Sequence, residues 1–276
     1  MNTLREGLAQ AVATGVARLD AQLLLLHVLG RPAADRGWVI AHDGDPLPDD
    51  AHRAFLALAA RRAAGEPLAY LVGQKEFFGL TLAVDARVLV PRPETEHLVE
   101  WSLEVLEGKA QPTIVDLGTG SGAIALALAS RRPDARIEAV DASMGALETA
   151  AANARALGLA VAFRQADWLA GAQGPYDLIV SNPPYVASAD PHLAALKHEP
   201  LSALASGADG LDALRAIAGQ APALLRPRGW LLLEHGHDQA PAVRALLEAA
   251  GLSQIQSRND LAGIPRCTGG LRLELG

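Results

Sequence analysis

The chain has 276 residues, half of them hydrophobic, which is enough apolar sequence to bury a large core. Its net charge of -7 disfavours a protein that binds by neutralising many nucleic-acid phosphates, and its single cysteine, Cys267, excludes an internal disulfide and a thiolate zinc cluster. The first residues lack a secretory pattern, and the aliphatic cluster at 23–29 is far shorter than the roughly 20 residues of a membrane span. We therefore expect a cytoplasmic protein with no membrane, metal or direct nucleic-acid partner.

Residues 1–74 have the pattern of a small all-helical domain. Apolar residues recur at helical spacing in three segments, and Asp49 and Asp50 stand where they can cap the third helix. Residues 75–92 then alternate in a way that predicts a short hairpin or linker strands. We place a domain boundary near residue 75, and we predict a further helix over residues 94–106.

Residues 93–276 change to a rhythm of strand, helix and strand. Short apolar runs that alternate with helical segments of about ten or more residues indicate parallel β-α-β units, with a sheet covered on both faces. This predicts a doubly wound α/β domain whose ligand lies outside the carboxyl ends of the strands. The predicted strands are residues 113–118, 135–141, 160–167, 176–182, 230–235, 255–260 and 271–275.

A glycine-rich stretch, GTGSG at residues 118–122, follows the first of these strands. Its glycines allow a tight turn and a close approach of a ligand to the main chain, and the helix that begins after it presents free N–H groups. Gly118, Gly120 and Ala123 also satisfy the dinucleotide fingerprint, and Asp141 stands where a ribose hydroxyl would bind. These two features leave a nicotinamide enzyme and a nucleoside-cofactor transferase equally open.

The charges at the strand ends favour the transferase. Asp116, Asp141 and Asp167 end the first three strands, and a carboxylate at Asp116 would repel the pyrophosphate of a dinucleotide. S-adenosylmethionine instead brings a cationic sulfonium and an ammonium group, for which Asp116 is a suitable acceptor. Asp141 would then bind the ribose hydroxyls, while Asp167 and Trp168 would face the adenine.

The pentapeptide SNPPY, residues 181–185, ends the fourth predicted strand at the same edge of the sheet. Pro183 and Pro184 fix their own φ angles, lack N–H groups and hold the preceding residues extended, so the loop is stiff. Asn182 Oδ1 and the Pro183 carbonyl can then accept both hydrogens of one planar nitrogen, with Tyr185 against the planar group. This arrangement suits methyl transfer to an amide or an aromatic amine, accelerated by orientation and preorganised acceptors.

Together these motifs resemble the HemK/PrmC family, the protein-(glutamine-N5) methyltransferases that act on peptide-chain release factors. The resemblance covers nearly the whole chain and rests on DLGTGSGAIALALA, the Asp141 strand end, Asp167–Trp168, SNPPY, the upstream LVPRPETE and the later LLLEHG. It implies a class I methyltransferase fold, Rossmann-like with a mostly parallel seven-stranded sheet, and a helical N-terminal domain that contacts the release factor. It also implies methylation of the glutamine in a Gly-Gly-Gln motif, with S-adenosyl-L-homocysteine as the cofactor product.

The resemblance assigns roles to individual residues. The residues implied to bind the cofactor are Gly118, Thr119, Gly120, Ser121, Gly122, Asp141, Trp168 and Asn182. Asn182, Pro183, Pro184 and Tyr185 are implied to hold the substrate glutamine. Arg92 and Glu94 to Glu96 match the segment that borders the site, either in a structural role or in direct contact with substrate. Residues 199–201 and 207–211 resemble a family loop that could close over the substrate or form a solvated connection.

Two other functions remain open. An adenine-N6 methyltransferase acting on DNA or RNA would use the same Asn-Pro-Pro-Tyr chemistry, but residues 1–75 hold eight Lys or Arg against eight Asp or Glu, which is not the basic face that such an enzyme needs. A non-catalytic domain that binds the release factor or the ribosome is the third possibility. Such a scaffold would have no use for Asn182 before two prolines, so the sequence favours a release-factor methyltransferase.

Overall fold

The computed structural model describes residues 2–274, and the chain divides into two units, Met1–Gln74 and Lys75–Gly276. Between residues 2 and 74 there are five helices and one pair of two-residue strands. Their bounds are β1 Asn2–Thr3, α1 Leu4–Ala13, α2 Arg18–Val28, α3 Arg36–Ala41, β2 Pro46–Leu47, α4 Asp49–Ala63 and α5 Leu68–Val72. The antiparallel pair β1–β2 is an addition to the helices that the sequence predicts.

The N-terminal unit has a core of its own. Leu24, Leu47 and Phe55 are among the fully buried side chains that pack together there. A capping box begins α1, because the Thr3 side chain accepts from the Glu6 N–H and the Glu6 side chain accepts from the Thr3 N–H. The predicted caps of α4 are wrong: Pro48 is the N-cap residue, and both aspartates lie in the first turn, where they favour the helix through its dipole.

The remaining described residues form a hairpin and a covered sheet. The elements are β3 Gln74–Phe77, β4 Leu80–Ala83, α6 Glu96–Val105, β5 Thr113–Leu117, α7 Ala123–Arg131, β6 Arg136–Asp141, α8 Met144–Leu157, β7 Ala162–Gln165, β8 Tyr176–Ser181, α9 Asp212–Leu224, β9 Leu225–Glu234, α10 Ala240–Ala249, β10 Ser253–Asn259 and β11 Pro265–Leu271. Two residues, Phe78 and Gly79, join β3 to β4, and both have positive φ, as a tight hairpin turn requires. A 3-10 turn, Pro93–Thr95, precedes α6.

Within residues 75–274 the main sheet has seven strands in the order β10-β11-β9-β8-β5-β6-β7. The strands from β5 to β9 pair in parallel, and β11 is antiparallel to both of its neighbours. Buried residues of α6 and α7 form one core on the sheet, and those of α9 and α10 form another. The prediction of a mostly parallel, doubly wound sheet is confirmed.

The last predicted strand is displaced. It was expected at residues 271–275, whereas β11 ends at Leu271, and residues 275–276 lie outside the described part of the chain. Two glycines lower the strand propensity of β11. A Cβ at Gly269 would lie 2.4 Å from Leu232 Cδ2 and 2.8 Å from Trp101 Cη2, so close packing requires glycine at this position. Because glycine is unfavourable in strands, the sequence pattern does not indicate a strand here.

The order of the strands fixes where a ligand is expected. β5 lies between β6 and β8, and the chain continues on one side through β6 and β7 and on the other through β8 and β9. The carboxyl ends of β5 and β8 therefore meet at a topological switch point, which is the usual ligand position in sheets of this kind. Among residues 2–274, no helix combines the length and apolar character that a membrane crossing requires.

Candidate active site

A pocket of about 160 Å³ lies at the carboxyl ends of β5, β6 and β8. Seven of the residues that the sequence singles out line it: Gly118, Gly120, Asp141, Asp167, Trp168, Asn182 and Pro184. The rest of the wall is formed by residues 87–89, 142, 143, 146, 166, 200, 202 and 203. The structure therefore gathers the ends of several strands and two loops around one cavity.

The loop after β5 forms the floor of this pocket. Gly118, Gly120 and Gly122 have φ values of 68°, 56° and 85°, a region that glycine enters without strain. Main-chain N–H groups of Gly118 and Thr119 both donate to the Val140 carbonyl, at 2.8 and 3.0 Å, which ties the loop to β6. Thr119, Ser121 and Gly122 do not line the pocket, so their predicted contact with a cofactor remains a prediction.

Asp116 does not line the pocket, so its predicted contact with a cofactor stays a prediction. Its side chain has no exposed surface, and its Oδ2 accepts from the Thr119 hydroxyl at 2.6 Å and from the Ala125 N–H at 3.2 Å. The carboxylate thus points back to the first turn of α7 rather than over the edge of the sheet. Burial raises its pKa to about 7, and within the described residues Oδ1 has no hydrogen-bond partner.

Asp141 does lie at the pocket. One carboxylate oxygen accepts from the Gly120 N–H at 2.9 Å, and the other accepts from the Ser143 N–H at 2.8 Å. These two bonds hold the carboxylate in place, and each oxygen keeps a lone pair for a further donor. The fixed carboxylate can therefore accept hydroxyl groups of a ligand.

Asp167 and Trp168 stand side by side at the far end of the pocket. Asp167 is exposed, whereas Trp168 is half-buried and has a φ of 49°. The indole lies next to the glycine loop, since a Cβ on Gly118 would be 3.5 Å from Trp168 Cζ3. A flat apolar surface and a carboxylate are thus available at one end of the cavity.

Asn182 follows β8, and its side chain is oriented by a neighbouring hydroxyl. Asn182 Nδ2 donates to Thr95 Oγ1 at 3.1 Å. Because this bond uses the nitrogen of the Asn182 carboxamide, the oxygen Oδ1 lies on the opposite side of the carboxamide group from Thr95. The carboxamide oxygen is therefore not used by this bond, in a residue that lines the pocket.

The other residues of the pentapeptide support this edge. Pro184 lines the pocket, and Pro183 is buried. The Tyr185 hydroxyl donates to Glu234 Oε1 at 3.4 Å, and the Tyr185 carbonyl accepts from Gln239 Nε2 at 3.0 Å. Burial raises the pKa of Tyr185, so its hydroxyl is a donor rather than a base at neutral pH.

Arg92 and Glu94 lie in the segment next to the pocket, but neither residue lines it. Arg92 Nη2 donates to Glu199 Oε1 at 2.5 Å, and the Val90 N–H donates to Glu199 Oε2 at 3.1 Å. Glu94 is exposed. Arg92 thus has a structural ion pair, and direct contact of either residue with a substrate remains a prediction.

Sequence analysis places Thr95 and Glu199 only within segments near the site, without a role of their own, and it does not single out Glu234. Thr95 lies within the motif LVPRPETE, and Glu234 lies within LLLEHG, so both were inside stretches that carry the family resemblance. All three side chains are buried and polar, a combination that cannot be read from a sequence. Within the described residues no group of three or more His, Cys, Asp or Glu side chains could hold a metal ion.

Comparisons with known proteins identify the family. The model of the PrmC N-terminal domain matches residues 2–73, and that of the methyltransferase small domain matches residues 99–206. A release factor glutamine methyltransferase of Bordetella pertussis is 52% identical over 93% of this chain and 95% of its own length. The chain belongs to the release factor glutamine methyltransferase family. The resemblance to HemK/PrmC is thereby confirmed.

A second relative and a solved structure extend the comparison. The release factor glutamine methyltransferase of Burkholderia pseudomallei is 48% identical over 98% of this chain and 99% of its own length. The 16S rRNA N2 G1207 methyltransferase of T. thermophilus, solved with AdoMet and guanosine, has a TM-score of 0.55 at 22% identity, covering 72% of this chain and 49% of that one. The latter likeness is one of fold, and it confirms the class I methyltransferase architecture.

Proposed function

We propose that this protein transfers the methyl group of S-adenosylmethionine to the side-chain amide nitrogen of the glutamine in the Gly-Gly-Gln motif of peptide-chain release factors. The main support is the carboxamide of Asn182, which lines the pocket at the switch point of the sheet. Thr95 accepts a hydrogen bond from Nδ2 of this carboxamide, so Oδ1 is available to accept from a substrate. The names of the relatives that span almost the whole chain support the same substrate.

The residues of the pocket fit this cofactor. When bound, S-adenosylmethionine supplies an electrophilic methyl group on a cationic sulfonium. Asp141, fixed by two main-chain donors, would accept the ribose hydroxyls, while Asp167 and Trp168 would face the adenine. Two carboxylates lining one cavity favour a cation and disfavour a pyrophosphate. With Asp116 withdrawn from the pocket, the charge argument rests on Asp141 and Asp167.

The residues after β8 would orient the substrate amide. Asn182 Oδ1 and the Pro183 carbonyl would each accept one of the two amide hydrogens. If these acceptors hold the N–H bonds out of the amide plane, the nitrogen lone pair turns out of conjugation and toward the methyl group. Hydrogen bonds at its hydroxyl and at its carbonyl hold Tyr185 in place. Its ring would then lie against one face of the substrate amide. The methylated nitrogen would then release one proton to water. Catalysis would come from orientation and preorganised acceptors, with no general base needed before the transfer.

The test uses purified protein, cofactor labelled in the methyl group, and a release factor. We expect label on the glutamine of the Gly-Gly-Gln motif and none on a release factor in which that glutamine is replaced by alanine. Total DNA and RNA serve as competing substrates in parallel reactions. Label on adenine with an unmodified release factor would overturn the proposal and favour the adenine-N6 alternative.

A further inference from the structure

Glu234 is a buried carboxylate to which nothing so far assigns a function. It ends β9, and the parallel register that sets Ser181 opposite Leu233 brings Glu234 alongside the start of the pentapeptide. The residue is 2% exposed, and within the described part of the chain its Oε2 has no hydrogen-bond partner. Removing a carboxylate from water is costly unless neighbouring hydrogen-bond donors compensate for the lost hydration.

Two hydroxyl groups interact with this carboxylate, one from each of two segments next to the pocket. Thr95 comes from the turn before α6, and Tyr185 comes from the pentapeptide. Both side-chain bonds lower the pKa of Glu234, whereas burial, the larger effect, raises it to about 7. The charges of Glu94 and Arg266 act on it in opposite directions.

The bond to Thr95 has a direction that matters for Asn182. A hydroxyl has one hydrogen to donate, and an ionised carboxylate can only accept. When Glu234 is ionised, it favours a Thr95 hydrogen that points toward it, and the Thr95 oxygen then accepts from Asn182 Nδ2. If Thr95 could instead donate to Asn182, the carboxamide could turn over and place Nδ2, a donor, where the substrate nitrogen needs an acceptor.

We propose that Thr95 and Glu234 are positioning residues, which hold the Asn182 carboxamide with Oδ1 toward the substrate nitrogen and hold Tyr185 in place. The chain of donors runs from Asn182 Nδ2 through the Thr95 hydroxyl to the Glu234 carboxylate. Glu234 also accepts a hydrogen bond from the Tyr185 hydroxyl. A single buried carboxylate would therefore position both Asn182, through Thr95, and Tyr185, directly. The inference rests on the proposed methyl transfer to an amide.

A matched pair of variants at Thr95 tests the chain of donors. Thr95→Val keeps the shape of the side chain and removes the hydroxyl, whereas Thr95→Ser keeps the hydroxyl. We expect Thr95→Val to lower kcat for the release factor about 10-fold or more, with binding of S-adenosylhomocysteine changed by less than about threefold. Thr95→Ser should recover most of the lost activity. Equal activity of the two variants, high or low, would overturn the inference.

Glu234→Gln provides an independent variant of nearly the same size, whose amide no longer dictates which way the Thr95 hydroxyl points. We expect it to lower kcat to a similar extent, and Tyr185→Phe, which removes only the second bond, to lower it less. If Tyr185→Phe loses as much as Glu234→Gln while Thr95→Val loses nothing, the connection through Thr95 is wrong.

A readout that does not depend on methylation separates this inference from the proposed function. Side-chain amide signals of Asn182, assigned by their absence in Asn182→Asp, report its hydrogen bond in a ¹⁵N-labelled protein. We expect hydrogen exchange of these amide protons to be at least several-fold faster in Thr95→Val than in the wild type or in Thr95→Ser. Unchanged exchange would overturn the positioning role, whereas a wild-type protein that does not methylate release factors would overturn only the proposed function.

Discussion

Asn182 carries a donor and an acceptor on one side chain, so its use depends on which of the two atoms faces the substrate. The bond from Nδ2 to Thr95 decides this. The carboxylates behave in the same way: main-chain donors fix Asp141 at the pocket, whereas Thr119 and Ala125 hold Asp116 behind the loop. At this scale, hydrogen bonds rather than residue type separate the groups that can contact a ligand from those that cannot.

Replacing Asn182 by alanine should affect turnover far more than cofactor binding. We expect kcat for the release factor to fall by on the order of 10² or more, because one preorganised acceptor is lost. The dissociation constant of S-adenosylhomocysteine, measured by calorimetry, should change much less. Equal losses in the two quantities would contradict an orienting role.

Asp116→Asn should reveal the cost of a buried carboxylate through the pH dependence of stability. The pKa of Asp116 is raised from 3.8 to about 7 in the folded protein. Between these values the folded state holds a proton that the unfolded state has released, so this group makes the free energy of unfolding fall as pH rises. Asparagine removes that titration and keeps an acceptor for Thr119 and Ala125.

Urea unfolding of the wild type and of Asp116→Asn at about pH 5 and about pH 8 measures this effect. The stability of the variant relative to the wild type should increase between the two conditions by on the order of a few kcal/mol. Glu234, whose pKa is also raised to about 7, is present in both proteins and therefore cancels. A relative stability that is the same at both pH values would contradict the raised pKa.

At the scale of elements, two connecting segments complete the pocket that the strand ends begin. Residues 87–89 lie on one segment and residues 200–203 on the other, and Glu199 ties them by accepting from the Val90 N–H and from Arg92. The second segment also pairs with the residues after the pentapeptide, since the Val186 N–H donates to the Leu204 carbonyl at 2.9 Å. Loop positions around the cavity are thus coupled to one another by buried polar contacts.

Glu199→Ala should weaken both the fold and the pocket. The Glu199 side chain is 2% exposed, and its loss leaves the Val90 N–H without its carboxylate acceptor, which costs about 1–3 kcal/mol of unfolding free energy. Because residues 200–203 are then less restrained, we expect binding of S-adenosylhomocysteine to weaken several-fold. Calorimetry and urea unfolding measure the two effects.

Glu148→Ala is the control for this variant. Glu148 forms an ion pair with Arg87 at 3.1 Å in which both side chains are about half exposed or more, and pairs of this kind contribute about 0–1 kcal/mol. A loss for Glu199→Ala no larger than that for Glu148→Ala would show that the connection between the two segments is not important.

At the scale of the whole molecule, the sequence predicts most of the fold and less of the site. Hydrophobic periodicity is a property of each segment, so the helices, the parallel strands and their common edge follow from it. β11 is the exception, because packing of Gly269 against Leu232 and Trp101 overrides local propensity. The direction of the Asp116 side chain and the burial of Glu234 depend on contacts between distant segments, which no local pattern records.

The separate cores of the two units lead to a prediction about truncation. Leu4 and Leu71 belong to a core formed within Met1–Gln74, whereas every residue that lines the pocket lies within Lys75–Gly276. A chain that begins at Gln74, the first residue of β3, should therefore fold and bind S-adenosylhomocysteine with a dissociation constant within several-fold of that of the full chain.

Thermal unfolding and methylation assays check this prediction together. At a ligand concentration of 100 times the dissociation constant, binding should stabilise the truncated chain by about 2.7 kcal/mol, as it does any protein with one site. If residues 1–74 contact the release factor, as the family resemblance implies, the truncated chain should lose kcat/KM for the release factor at least 10-fold while it keeps the cofactor. Full activity of the truncated chain would remove that role from the N-terminal unit, and loss of cofactor binding would show that the pocket is not complete within the second unit.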